Sequence, residues 1–406
     1  MKILIADKFQ EAYLEELHSL GHEVVLNPDL KADDLSKEIA GFDVLIVRST
    51  KVNADAIDAS DKLNLIIRAG AGVNTIDVNA AAGKGIFVCN TPGKNSIAVA
   101  ELAFGLMLSI DRKIADCTSD LKSKVWNKKK YSKADGILGK TLGIIGLGEI
   151  GIAFADRAKA FGMKILAFDP IAQQKISPKL AQRLEDRVFS FCPTVEELVK
   201  ASDVVTIHVP SNPHTQGMIN DDFLKNLKPN SIILNTSRGN IINDKALIKA
   251  MNEKNIRAGL DVYNDECATA TGTFETSLSM HPNVYGTHHI GASTEQAQNA
   301  IAAEVIEILK NYEKGVVLHP VNMEMEPAVK HTIIMRVFDR VGVLAAALLL
   351  LKEQGINLQQ MEGRVFFGEN AQQIILHVNK CPNEVTIDKI RNIDNVIQVD
   401  VKSSVE

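Results

Sequence analysis

Ten short apolar, β-branched runs lie between residues 2 and 287 of this 406-residue chain, and many of them are apolar at nearly every position. They fall at 2–7, 43–48, 63–70, 85–90, 141–146, 164–169, 203–210, 231–237, 258–263 and 283–287. A strand with apolar residues on both faces must be covered on both faces, as in a parallel sheet flanked by helices. The stretches between the runs carry apolar residues at helical spacing. That alternation predicts a doubly wound α/β fold.

The length is too great for one ordinary core and suggests two or three domains. One α/β unit is expected over 1–97 and a second over 98–289. The helical pattern Glu295, Ala297, Ile301, Val305, Ile308, Leu309 follows the second unit's last strand. It is expected to cross back, so that 290–315 completes the first domain and a cleft lies between the two. Prolines at 320 and 327 mark a linker over 316–331, because proline cannot propagate a helix. A strand–helix–strand–strand–helix–strand pattern then fills 332–406.

Composition narrows the class. Net charge −5 argues against nucleic acid as a partner, since neutralising phosphates needs a basic surface. No apolar run reaches the roughly 18 residues that span a bilayer, and no membrane partner is expected. The five cysteines, 89, 117, 192, 267 and 381, are scattered and include no CxxC pair. They fit a reducing compartment, with the cytoplasm as the expected location, and no metal site is expected.

Between the runs at 141–146 and 164–169 stands Gly146-Leu147-Gly148-Glu149-Ile150-Gly151. Alone, GxGxxG is weak; here a strand precedes it and a helical stretch follows. Gly146 permits the tight turn, Gly148 lets backbone approach a pyrophosphate, and Gly151 lets helix and strand pack closely. The helix N-terminus offers free N–H groups to phosphate. Asp169 ends the next strand, near the offset of about 20 residues where a carboxylate meets the adenosine ribose. A carboxylate there repels a 2′-phosphate, so the expected cofactor is NAD.

Arg238, Glu266 and His289 each lie just past a predicted strand, where parallel sheets hold ligands. The set suits redox chemistry at a carbon beside a carboxylate. A guanidinium can grip the carboxylate and polarise a carbonyl, an imidazole can exchange the proton, and a carboxylate can orient the imidazole. His288 is a competing neighbour; on an extended strand only one of the two side chains could face the cleft.

At these residues the sequence resembles a known family. Asn235-Thr236-Ser237-Arg238-Gly239, Leu260-Asp261-Val262-Tyr263 with Glu266, and His289-Ile290-Gly291-Ala292-Ser293-Thr294 are similar to motifs of the D-2-hydroxyacid dehydrogenases. So are Arg68-Ala69-Gly70-Ala71-Gly72-Val73 and Asn95-Ser96 with Val99-Ala100-Glu101, and the resemblance covers nearly the whole chain. It implies hydride transfer at C2 of a small D-2-hydroxy acid. Arg238 would bind and polarise substrate, His289 would donate or accept the proton, and Glu266 would be its partner. Implied cofactor contacts are Glu149, Ile150, Asp169, His208, Pro210, Thr236, Ser237, Asp261, Gly291 and Ala292. Cys267 and His288 stand where the family usually has proline.

For substrate, Arg48, Ser49, Arg68 and Asn95 are candidate ligands, and the amides around Gly70-Ala71-Gly72 could form an anion-binding nest. These residues suit a phosphorylated 2-hydroxy acid. An unphosphorylated acid such as hydroxypyruvate or glyoxylate is the alternative, and a regulatory protein that senses NAD on the same scaffold is a third reading. Lysines 122, 124, 128, 129, 130 and 133 bracket Trp126, either as a solvated arm or as electrostatic steering. In the family this segment lies near a dimer interface. The C-terminal unit resembles an ACT domain, which implies an amino-acid effector or an assembly role and a homo-oligomer, dimer or tetramer. Asp339-Arg340-Val341-Gly342 and Asn357 carry that likeness. Val337, Asp339 and Val341 depart from the serine-regulated pattern, which leaves serine feedback open.

Overall fold

A computed structural model describes residues 1–186, 188–267, 271–324 and 331–403. The chain forms two units, Met1–Asn322 and Met323–Glu406. Residues 325–330, which include Glu326-Pro327 of the expected linker, lie outside the described residues.

The first unit holds two parallel sheets. Strands β1 (Lys2–Ile5), β2 (Glu23–Leu26), β3 (Val44–Val47), β4 (Leu65–Arg68) and β5 (Phe87–Asn90) lie in the order β2-β1-β3-β4-β5. Strands β6 (Thr141–Ile145), β7 (Lys164–Phe168), β8 (Ser190–Phe191), β9 (Val204–Ile207), β10 (Ile232–Asn235), β11 (Arg257–Leu260) and β12 (Val284–Gly286) lie in the order β12-β11-β10-β9-β6-β7-β8. The chain leaves β1 to one side and returns to β3 on the other, and it does the same at β6 and β9. Such switch points open a crevice at the strands' carboxyl ends. The candidate ligand residues sit there.

Most of the apolar runs are buried as their composition requires, while β12 at the sheet edge is only partly so. Every residue of β3 is at most 1% exposed, and each sheet has a hydrophobic cluster on either face. Two strands escaped the sequence reading. β2 is a sheet edge whose residues are mostly exposed, so it lacks the two-faced apolar signal, and β8 is two residues long.

The helix Glu295–Tyr312 starts where Thr294 Oγ1 accepts the Ala297 amide. Its Ile301, Val305, Ile306, Ile308 and Leu309 share one cluster with Ile3, Ile5, Val44 and Ile67 of the first sheet. Burying each of the five is worth about 1.5–3 kcal/mol, enough to fix the helix against that sheet. The helix Ser96–Arg112 packs on the second sheet through Ala103, Phe104, Met107 and Ile110.

The second unit is an antiparallel sheet of β13 (His331–Phe338), β14 (Leu358–Val365), β15 (Ala371–Val378) and β16 (Val396–Ser403), in the order β14-β15-β13-β16. Helices Val343–Glu353 and Glu384–Arg391 follow β13 and β15. Burial alternates along β13, with Ile333, Met335 and Val337 fully buried. That period of two marks a sheet with one covered face. Among the described residues no helix of the chain is long and apolar enough to cross a membrane.

Candidate active site

The glycine loop begins at the end of β6. Gly146 has φ +94°, and a Cβ there would lie 2.5 Å from the His208 carbonyl oxygen past β9. A Cβ on Gly151 would strike the Gly146 carbonyl, whereas one on Gly148 would meet nothing within 4 Å. The loop is thus closed toward the sheet and open toward solvent at Gly148, which caps the helix Glu149–Ala160. Glu149 is exposed and Ile150 half-buried in its first turn.

Asp169 follows β7 and already serves the backbone. Its Oδ2 accepts the Leu147 amide of the glycine loop at 2.8 Å, and its Oδ1 accepts the amides of Ile171 and Ala172. Beside the loop, His208 bonds Thr206 Oγ1 through Nε2 at 2.9 Å, while its Nδ1 is buried without a partner among the described residues. Burial pushes its pKa down to about 3. Thr236 Oγ1 is likewise buried and unpartnered among the described residues. The Ser237 hydroxyl instead donates to Asn235 Oδ1, and the Pro210 carbonyl accepts from Thr215.

The ends of two strands, β11 and β12, bring Glu266 and His289 together. His289 Nδ1 lies 2.7 Å from Glu266 Oε2, and Glu266 Oε1 accepts the Tyr263 amide at 3.0 Å. Burial tends to raise the Glu266 pKa, but the His289 bond, the Tyr263 amide and the His289 and Arg238 charges hold it below the usual carboxylate range. The reason His289 and not His288 makes this contact differs from the strand argument. β12 ends at Gly286, and His289 sits in the left-handed region at φ +53°. A turn, not strand alternation, aims its ring.

Asp261 holds that turn. It is 1% exposed. Its Oδ1 accepts from Thr287 Oγ1 and the Ile290 amide, its Oδ2 accepts from the Gly291 amide, and its carbonyl accepts from the His289 amide. A residue expected at the cofactor is therefore also the clamp beneath the histidine.

Arg238 follows β10 and reaches across to the first sheet's loops. Its Nε donates to Asn74 Oδ1 at 3.2 Å, its Nη1 donates to the Ser237 carbonyl at 2.6 Å, and a Cβ on Gly72 would collide with its Nη2. Arg68, at the end of β4, folds over Gly70 and donates from Nε to the Arg48 carbonyl at 3.1 Å. Burial, and then repulsion from Arg238 and Arg48, lower its pKa to about 10, so it stays charged at neutral pH. Arg48 Nη1 donates to Gln298 Oε1 at 2.7 Å. Among the described residues the amides of Ala71, Gly72 and Val73 donate to nothing. Arg238 lies close enough to Glu266 to feel its charge, and Arg68 lies close enough to both Arg238 and Arg48 to be repelled by them. A run of three guanidiniums with free amides near Arg238 suits an acid with more than one negative charge.

Other expected residues stand differently. Asn95 precedes the helix Ser96–Arg112 without a side-chain cap bond. Ser49 is exposed, and its amide is taken by Asp7. The lysine arm is exposed, with Lys130 paired to Asp120 at 3.1 Å and Trp126 81% exposed. Asn74, Gln298 and Asp7 were not anticipated, because each acts through a contact with a residue distant in sequence. Gln298 also donates from Nε2 to the Ala292 carbonyl at 3.0 Å, tying Arg48 to the segment that carries His289.

Comparison with known proteins fits this geometry. The family described as D-isomer specific 2-hydroxyacid dehydrogenase, NAD binding domain, matches residues 104–291. D-3-phosphoglycerate dehydrogenase of Methanocaldococcus jannaschii is 39% identical over 369 residues, 90% of this chain and 66% of that protein. The chain thus spans slightly less than two thirds of that relative's length. Hydroxypyruvate reductase of Thermotoga maritima is 43% identical over 285 residues, 70% of this chain and 89% of that protein. The crystal structure of NAD+-bound 3-phosphoglycerate dehydrogenase from Entamoeba histolytica superposes with a TM-score of 0.64 at 31% identity, covering 80% of this chain and 99% of that one. The chain belongs to the D-isomer specific 2-hydroxyacid dehydrogenases.

Proposed function

We propose that the protein is an NAD-dependent D-3-phosphoglycerate dehydrogenase, oxidising 3-phospho-D-glycerate at C2 to 3-phosphohydroxypyruvate, the reaction that opens serine synthesis. The observation that carries this reading is the run of Arg48, Arg68 and Arg238, each near enough to the next to interact, which ends at Glu266 and its partner His289. A single carboxylate needs one such cation; a phosphorylated hydroxy acid uses all three.

The chain's residues fit a dinucleotide. Gly148 leaves open space, and His208 Nδ1 and Thr236 Oγ1 are buried polar atoms with no partner among the described residues. Glu149, Ile150, Asp169, Pro210, Ser237, Asp261, Gly291 and Ala292 complete the set that would hold it. A nicotinamide bound there would supply the acceptor for the C2 hydrogen and its electron pair in oxidation, and the donor in the reverse direction.

His289 removes the hydroxyl proton through Nε2, since Nδ1 is committed to Glu266. The ionised Glu266 fixes that tautomer and stabilises the imidazolium that results. Arg238 grips the carboxylate and polarises the developing carbonyl. The Ala71, Gly72 and Val73 amides receive the other carboxylate oxygen, and Arg48 and Arg68 receive the phosphate.

The second reading is hydroxypyruvate reduction, favoured by the higher identity to the Thermotoga protein. Arg48→Ala separates the two. Losing a charge-assisted bond of about 1.5–3 kcal/mol raises KM for 3-phosphohydroxypyruvate by about 10- to 100-fold. An unchanged KM refutes the phosphate assignment. For the second unit, the βαββαβ sheet supports an ACT-like module that assembles copies of the chain or receives an amino-acid effector.

A further inference from the structure

Asp7 lies two residues past β1, and Arg48 directly follows β3, its neighbour in the sheet. The two residues therefore meet at the switch point of the first sheet. One oxygen of Asp7, Oδ2, accepts three consecutive amides, from Arg48 at 2.7 Å, Ser49 at 3.1 Å and Thr50 at 3.1 Å. Thr50 Oγ1 then donates to the Ala6 carbonyl at 2.9 Å, closing the loop onto β1. Successive amides that converge on one point form a concavity for an anion. Here the anion comes from the chain itself.

Two consequences follow. The amides of residues 48–50 are occupied, so an incoming phosphate must be met by side chains. Arg48 is also fixed at every backbone polar group: Asp7 takes its N–H, Arg68 Nε takes its C=O, and Gln298 takes one edge of its guanidinium. The free edge of the guanidinium is left for an external anion. A carboxylate so close to a phosphate site would repel it if its charge were unshared. Three N–H dipoles on one oxygen offset that charge, and the carboxylate in turn favours the charged forms of Arg48 and Arg68 against burial.

We infer that Asp7 is a positioning residue that holds Arg48 in place for the substrate phosphate and so sets preference for phosphorylated over unphosphorylated 2-oxo acids. The inference rests on the proposed function. Asp7 touches no reacting atom, and its positioning effect passes through Arg48; on Arg68 it acts only by its charge, the smallest of the influences on that group.

The test is a double-mutant cycle on the full chain. NADH oxidation is followed with 3-phosphohydroxypyruvate and with hydroxypyruvate for wild type, Asp7→Ala, Arg48→Ala and the double variant. Asp7→Ala is expected to raise KM for the phosphorylated acid about tenfold with kcat retained, a loss within the range for a charge-assisted bond. KM for hydroxypyruvate stays within about twofold, and the substitution adds nothing once Arg48 is absent. Asp7→Asn keeps an acceptor oxygen and retains wild-type KM within about threefold. If Asp7→Ala does not fold, Asp7→Glu, with its carboxylate one methylene too far out, takes its place with the same expectation. Equal KM increases for both substrates, an additive cycle, or Asp7→Asn as damaging as Asp7→Ala overturns the inference. Failure of the functional reading is seen separately: wild type alone would then show no preference for the phosphorylated acid, and the role of Asp7 would fall with it.

Discussion

Asp261→Asn is the sharpest probe of how His289, the proposed proton acceptor, is held. The native carboxylate is 1% exposed and accepts from Thr287 Oγ1 at 2.7 Å, Ile290 N at 2.9 Å and Gly291 N at 2.8 Å. An asparagine must put an NH2 in place of one oxygen. Turned toward Gly291, it faces an N–H; turned the other way, Thr287 can rotate to accept but Ile290 cannot. In either orientation one buried amide loses its acceptor and the remaining bonds lose their charge. Losing a charge-assisted bond costs about 1.5–3 kcal/mol, and a stranded buried donor about 1–3 kcal/mol. The combined loss is about 3–5 kcal/mol, which lowers the melting temperature by about 6–10 °C. His289 at φ +53° is a conformation that persists only where its surroundings impose it. Loosening the turn misplaces the imidazole, and kcat falls by tenfold or more. Thermal unfolding and steady-state kinetics on the same preparation read both effects. An unchanged melting temperature with only KM for NAD raised would refute the clamp and leave Asp261 as a cofactor ligand alone.

Gly72→Ala places a methyl group on the Arg238 guanidinium. Displacement of that group by about 1 Å should lower kcat/KM about 100-fold with little change in thermal stability; retained kcat/KM would show that Arg238 is not held there. His208 gives a pH effect with a defined sign. Its folded pKa is about 3 against an ordinary value of 6.5, so below about pH 6.5 the unfolded chain takes up a proton that the native one does not. Stability is full above that value and falls by up to about 1.4 kcal/mol per pH unit as pH drops toward 3. Between pH 7 and about pH 5 the wild type should lose about 2 kcal/mol more than His208→Gln, as read by denaturant titration. Equal losses would place the acid sensitivity elsewhere.

The parallel sheets were legible because most of their strands are apolar on both faces, and the β6 loop because Gly146 and Gly151 each have a separate steric reason. β2 was invisible for the opposite reason: an exposed edge strand such as Glu23–Leu26 carries no two-faced pattern. Arg238, Glu266 and His289 could be chosen from their positions past strand ends, yet the argument from strand alternation was wrong, since positive φ at His289 does the aiming. Nothing in the local sequence announces Asp7, Asn74 or Gln298. Asp7 gains its role only once β1 lies beside β3, Gln298 once the helix at 295–312 returns to the first sheet, and Asn74 once Arg238 reaches the loop after β4. Asp169 and Asp261 show a related limit. Motif reading assigned them to a ligand, whereas their carboxylates are engaged first with backbone amides.

The most direct test of the central claim is NADH oxidation by the wild-type protein with 3-phosphohydroxypyruvate, hydroxypyruvate and glyoxylate in parallel, and NADPH as the cofactor control. If Arg48, Arg68 and Arg238 hold the substrate as proposed, kcat/KM for the phosphorylated acid is at least about 100-fold above the others, with NADH preferred to NADPH. Comparable or faster turnover of the unphosphorylated acids would contradict the assignment and make the protein a broader 2-oxo acid reductase.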